Sequence, residues 1–231
     1  MNVDLPTSSS SVFRGLVSIA MAALLALALS ACALGRPAAP VSILAPEIEG
    51  QFGQELDAVD WGIQVRRPVT DRMRDSERVL VRAAPSRLQP YPGAAWLDNA
   101  PDVVQMLTIQ ALEDSNRFQG VGRTGGLQTR LVLDTELRRF EGVDDGSPDL
   151  SAELVVHANL VYQRTGQVVA SNTFRFTERA SGKELDPLVR AFERALQAYF
   201  ASLLPWVITE GQRAKQESDD RAQTRRERRE G

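Results

Sequence analysis

The sequence predicts an α+β domain: a single, mainly antiparallel sheet of about five or six strands with two helices packed on one face. Two observations carry this expectation. Three successive stretches in the second half of the chain alternate apolar and polar residues with a period of two, the pattern of half-buried strands. Two further stretches have a proline at their start, and the second of them repeats apolar residues at helical spacing. At 231 residues, 43% hydrophobic and 25% charged, the chain accommodates one such domain with segments outside it.

In chain order, Trp61, Ile63 and Val65 alternate with polar residues, and Arg78-Val79-Leu80-Val81-Arg82 is a short β-rich run; both read as strands. Leu88-Gln89-Pro90-Tyr91-Pro92-Gly93-Ala94-Ala95-Trp96-Leu97-Asp98 reads as a loop, since it carries two prolines and a glycine. Its aromatics Tyr91 and Trp96 are core plugs or a docking surface, the former slightly preferred. Pro101 to about Asp114 is the first helix.

Leu127, Thr129, Leu131, Leu133, Thr135 and Leu137 make the first long stripe, Leu150 to Tyr162 the second, and Val168, Ala170, Phe174 and Phe176 the third. Gln163-Arg164-Thr165-Gly166 is a hairpin turn between the last two, and Asp144-Asp145-Gly146-Ser147-Pro148 a longer loop before them, so the three pair antiparallel. The final helix takes Asp186 as N-cap and Pro187 at its first position, and ends near Leu204. Leu188, Phe192, Ala195, Leu196, Tyr199 and Leu203 fall on one of its faces. Trp206, just beyond Pro205, packs on the sheet edge or meets a neighbouring subunit.

The chain ends have another character. Leu16 to Leu29 is an uncharged apolar run, preceded by Arg14, with the length of a signal-peptide core and too short to span a bilayer. It closes on Leu29-Ser30-Ala31-Cys32, which resembles the lipobox of bacterial lipoproteins. That resemblance implies recognition of Leu29, Ser30 and Ala31 by the signal peptidase, removal of residues 1–31, and a covalent lipid on Cys32. Ala33, rather than aspartate, follows the cysteine, which favours the outer membrane, with the domain facing the periplasm. Residues 32–42 are then the acylated cysteine and an Ala/Pro-rich tether, residues 43–208 the domain, and residues 209–231 a charged, frayed or disordered tail.

Several functions are disfavoured by the residues themselves. One cysteine permits no internal disulfide and no cysteine-based metal site, and one histidine, His157, leaves little for a metal or imidazole chemistry. No metal and no cofactor beyond the lipid is expected. His157 lies opposite the apolar stripe of its strand and reads as a surface residue. Gly120-Val121-Gly122-Arg123-Thr124-Gly125 matches a dinucleotide fingerprint but precedes a strand, so it reads as a turn loop. No nucleophile elbow is present, and the adjacent acids Asp144-Asp145 and Asp219-Asp220 sit in loop-like sequence; nothing argues for an enzyme. A net charge of −3 with dispersed cations argues against nucleic acid.

The order of elements, with Val79, Val81 and Arg82, then Leu88, Tyr91, Trp96 and Asp98, then Ala191, Phe192, Ala195, Leu196 and Trp206, resembles the ABC-type transport auxiliary lipoproteins, over about Ile43 to Ile208. The resemblance implies a non-enzymatic outer-membrane component that partners an MCE-family protein and an inner-membrane ABC transporter in moving lipid or another hydrophobic compound, with homo-oligomers in some relatives. The alternative expectation is an envelope structural or assembly lipoprotein that binds peptidoglycan or an outer-membrane protein through its sheet edge and arginine-rich tail.

Overall fold

The computed structural model describes Met21 and residues 40–230 apart from Glu49, Gln51 and Leu127. Cys32 and the lipobox residues Leu29, Ser30 and Ala31 lie outside the described residues. From Val41 onward the chain is one compact unit. Its elements are β1 (Ser42–Leu44), β2 (Ile63–Val65), β3 (Arg78–Ala84), β4 (Arg87–Trp96), α1 (Ala100–Asp114), β5 (Val121–Arg123), β6 (Leu131–Val143), β7 (Ser151–Tyr162), β8 (Val168–Arg179) and α2 (Leu185–Glu230).

The expected α+β class holds, with two helices, but the sheet differs: it has eight strands and is mixed. β6, β7 and β8 form the antiparallel core of the sheet, as the three stripes require. The other edge of β6 is shared. β2 pairs with its first residues and β3 with its last, both parallel, and the isolated bridge Val69–Glu136 lies between them. β5 extends the β2 side in parallel, and on the β3 side β4 adds antiparallel and β1 parallel. β2 and β3 are the two early strands the sequence pattern suggests, whereas β1 and β5 are concealed because each has three residues and no alternation around it to show a period.

β4 corrects the expected loop at residues 88–98. Its register with β3 passes from Leu80 opposite Pro90 to Arg78 opposite Ala95, so the segment Tyr91–Ala94 bulges out, with Gly93 at φ 69°. Pro90 and Pro92 are tolerated because β1 pairs only with Ala94, Ala95 and Trp96. Gly120 to Gly125, expected as a turn loop, is partly strand: Val121–Arg123 is β5.

α2 is the second correction. It starts at Leu185, which puts Asp186 in the first turn rather than at the cap, and it runs through Pro205 to Glu230 instead of ending near Leu204. Of the stretch expected to be a frayed or disordered tail, residues 209–230 therefore belong to the same helix. A proline inside a helix costs about 3 kcal/mol. Leu203, Leu204, Val207 and Ile208 flank it and are all buried, and each contributes about 1.5–3 kcal/mol, so packing outweighs the break. Along β7 and β8 the helix buries Leu188, Phe192, Leu196 and Tyr199 completely. α1 packs on β2 and β5 and touches α2.

Candidate functional site

The aromatics singled out by sequence do not converge. Trp96, at the end of β4, is 1% exposed; its ring stacks on Phe140 with centroids 4.9 Å apart and meets Phe192 edge-on at 5.1 Å. It is core. Tyr91, in the β4 bulge, is half-buried, and its hydroxyl donates to the carbonyl of Lys183 at 3.1 Å, tying the bulge to the loop before α2. Trp206 is half-buried on α2 and packs edge-on against Phe174 of β8, 5.7 Å between centroids. It meets the sheet of its own chain.

His157 stands on β7, where its Nδ1 is 2.9 Å from Thr173 Oγ1 on the neighbouring β8. Among the described residues no three His, Cys, Asp or Glu side chains are grouped to hold a metal ion. No described helix is long and apolar enough to cross a membrane.

What sequence reasoning missed is an ionic clasp beneath the β3–β6 junction. Glu141 of β6 is fully buried. Arg82 of β3 reaches it with Nε 2.8 Å from Oε1 and with Nη2 on the same oxygen, and Arg74, from the loop before β3, donates from Nη2 to Oε2 at 2.6 Å. Two guanidiniums thus take both oxygens of one carboxylate, the arrangement that makes a buried charge tolerable. Arg82 belonged to the recognised pattern, but 59 residues separate it from Glu141, and no periodicity relates them. Nearby, Arg67 bridges Asp75 (2.6 Å) and Asp102 in the first turn of α1 (2.7 Å); its hydrogen bonds hold the Asp102 carboxyl below the usual carboxylate range. These groups are neutralised by one another and brace the junction of β3, β6 and α1.

The surface offers a different kind of feature. Val41, Ile43 and Leu97 are exposed large apolar residues at the β1 edge, where the Leu97 amide bonds the Leu44 carbonyl at 2.8 Å. Among the described residues β8 has a strand partner, β7, on one edge alone, leaving the other edge of a 12-residue strand without one. Such edges and apolar residues are docking features rather than reaction chemistry.

Comparison with known proteins agrees with this picture. A protein of Xanthomonas campestris from the DUF330 family has a crystal structure that superposes with a TM-score of 0.72 at 31% identity, covering 76% of this chain and 99% of that one. A second crystal structure, of an uncharacterised protein, shares the fold with a TM-score of 0.59 at 12% identity, over 73% of this chain and 99% of the other. No curated protein sequence matches. The profile of the ABC-type transport auxiliary lipoprotein components matches residues 47–203, which span β2 to β8 and most of the buried part of α2. With this match covering more than half of the chain, and with a buried clasp and core that account for Arg82 and Trp96, the chain belongs to the ABC-type transport auxiliary lipoprotein family.

Proposed function

We propose that this protein is a non-enzymatic lipoprotein, anchored by lipid on Cys32 in the outer membrane and facing the periplasm, that serves an ABC transporter and an MCE-family protein in moving lipid or another hydrophobic compound. The observation that carries this reading is the family match over residues 47–203. The structure supports it in two ways. Its sequence-flagged aromatics are committed to internal packing, and the open β8 edge and the apolar β1 edge provide surfaces for partners. β1 follows the proposed tether directly in the sequence, and its exposed apolar residues add to the partner surface.

The test is affinity purification of the tagged, acylated protein from its native host beside a Cys32→Ser control, with mass spectrometry of what accompanies it. Enrichment of MCE and ABC components with the acylated protein alone is the expected result. Enrichment of peptidoglycan-binding or outer-membrane assembly proteins in their place overturns the reading in favour of an envelope assembly role.

A further inference from the structure

At the end of the sheet where β6 begins and the β7–β8 hairpin turns, two hollows meet beside α2. The first is a slot of about 240 Å3 whose wall is formed by Trp61, Leu131, Tyr162 and Ala214, with Asp60, Arg130 and Lys215 completing it. It is mainly apolar, and the Trp61 Nε1–H in its wall is buried with no acceptor among the described residues. The second is an open cleft of about 1140 Å3 between the hairpin turn and α2. Its lining includes Arg130, Arg164, Arg221 and Arg226, and among the described residues that line it none is a carboxylate. Arg130 and Tyr162 belong to both hollows.

The arginines are only lightly engaged. Arg130 is 3.8 Å from Asp219, Arg221 is 3.3 Å from Glu217 one turn earlier, and both arginine side chains are more than half exposed; Arg164 and Arg226 are exposed as well. Arg164 and Arg226 form no ion pair with another described residue. Surface pairs of this kind are worth about 0–1 kcal/mol and yield readily to a better anion. A guanidinium fork matches the oxygens of a phosphate, and several forks around one cleft match a single phosphate head group.

We propose that the two hollows form one site for an anionic amphiphile, with a phosphate-bearing head group on the arginines and the end of an apolar chain in the slot. The sizes fit this division. The slot lies below the roughly 300 Å3 at which pockets for whole small molecules begin, so it takes a chain segment, while the cleft has room for the head group. A free inorganic anion uses the cleft and leaves the slot empty. As a statement about cargo the inference rests on the transport reading above; as a statement about binding it is tested on the domain alone, so either can fail without the other.

The domain is a suitable object for that test, because residues 41–231 form a compact unit by themselves and the crystallised Xanthomonas relative consists almost wholly of the matching part. Residues 41–231 are titrated calorimetrically with dihexanoyl phosphatidylglycerol, dihexanoyl phosphatidylcholine, glycerol phosphate and inorganic phosphate. The phosphatidylglycerol is expected to bind at least about tenfold more tightly than each of the other three, since each lacks the net charge or the chain. Arg164→Ala with Arg226→Ala, and separately Ala214→Met to fill the slot, are each expected to weaken it about tenfold while the thermal midpoint stays near that of the parent. Equal binding of the two lipids, or of phosphatidylglycerol and inorganic phosphate, overturns the proposal. So does an arginine-dependent affinity for an acidic peptide with no affinity for lipid, which assigns the cleft to a protein partner.

Discussion

The ring of Trp61 lies against the backbone of α2 at Gly211: a Cβ built on that glycine falls 2.4 Å from Trp61 Cζ2 and Cη2 and 3.2 Å from Leu131 Cδ1. Trp61 is 7% exposed and also meets Phe118 edge-on at 5.3 Å, so its ring is held on that side and can give way only by giving up these contacts. In an exposed helix, Gly→Ala gains about 1 kcal/mol of helix propensity. Here the sign reverses, because forcing a carbon into a packed contact costs about 1–3 kcal/mol. Gly211→Ala is expected to lower stability in urea unfolding, and Trp61→Leu combined with Gly211→Ala to cost less than the sum of the two single changes. A stabilising Gly211→Ala shows that the ring is not held there.

Glu141 and its two arginines make a graded prediction. Removing the carboxylate leaves two guanidiniums, of which Arg74 is 12% and Arg82 21% exposed, close together with Asp71, on the far side of Arg74, as the remaining anion. Breaking a buried pair typically costs about 3–5 kcal/mol. Glu141→Ala is expected in that range, and Arg82→Ala or Arg74→Ala clearly below it, because the remaining arginine still holds the carboxylate. Denaturant midpoints of the three variants check the order; equal losses for all three mean that the clasp acts as one indivisible unit.

The Arg67–Asp102 pair predicts a pH dependence. The hydrogen bonds from Arg67 lower the Asp102 pKa in the folded state, so the folded protein releases its proton more readily than the unfolded chain, whose aspartates titrate near about 3.9. The stabilisation is then fully present above that unfolded value and is lost as pH falls through the lower folded one. Asp102→Asn is expected to melt below the parent at pH 6, with the gap closing as the pH is taken down toward 2.5. A gap independent of pH assigns the effect to packing instead.

Trp96 and Tyr91 separate two roles that sequence left together. Trp96→Ala empties the centre of a three-ring cluster with Phe140 and Phe192 and is expected to cost about 3–5 kcal/mol. Tyr91→Phe removes one half-exposed hydrogen bond to the Lys183 carbonyl and is expected to cost about 0.5–1.5 kcal/mol. Unfolding of the two variants side by side tests the assignment, and near-equal losses contradict it.

The parts of this fold that sequence revealed are those where one period persists. β7 keeps Ala152, Leu154, Val156, Ala158 and Leu160 inward through its length, and its stripe is plain. In β6 the register shifts between Leu137 and Arg139, so the inward residues pass from Leu137 to Phe140 and the alternation stops six residues before the strand does. β4 is masked by its bulge, and the second half of α2 by Pro205, whose cost is offset by neighbours that only the tertiary fold buries. The site residues follow the same division. Lipobox and aromatics are local in sequence, whereas Arg82–Glu141 and Trp61–Gly211 are partners across long separations that no period links.

The end of α2 supplies the last prediction. From Lys215 to Glu230 the helix carries no large apolar residue, and what sustains it is local: Lys215–Asp219 and Glu217–Arg221 pairs one turn apart, and a Gln223 to Glu227 hydrogen bond. Such pairs contribute about 0.2–0.5 kcal/mol each, too little for this segment to hold the domain together. The last hydrogen bond to the sheet among the described residues is the Tyr162 hydroxyl on the Ala214 carbonyl at 2.9 Å, and beyond it only the exposed Arg130–Asp219 pair at 3.8 Å reaches across. Truncation after Gln216 is therefore expected to leave the thermal midpoint within about 2 °C of the parent, and amides beyond Gln216 to exchange far faster than those between Leu188 and Ile208. The same truncation removes Arg221 and Arg226 from the cleft, so it separates fold from binding: a stable domain that has lost its affinity for the anionic amphiphile locates the function of this extension in its charge, whereas a large fall in midpoint makes it part of the core.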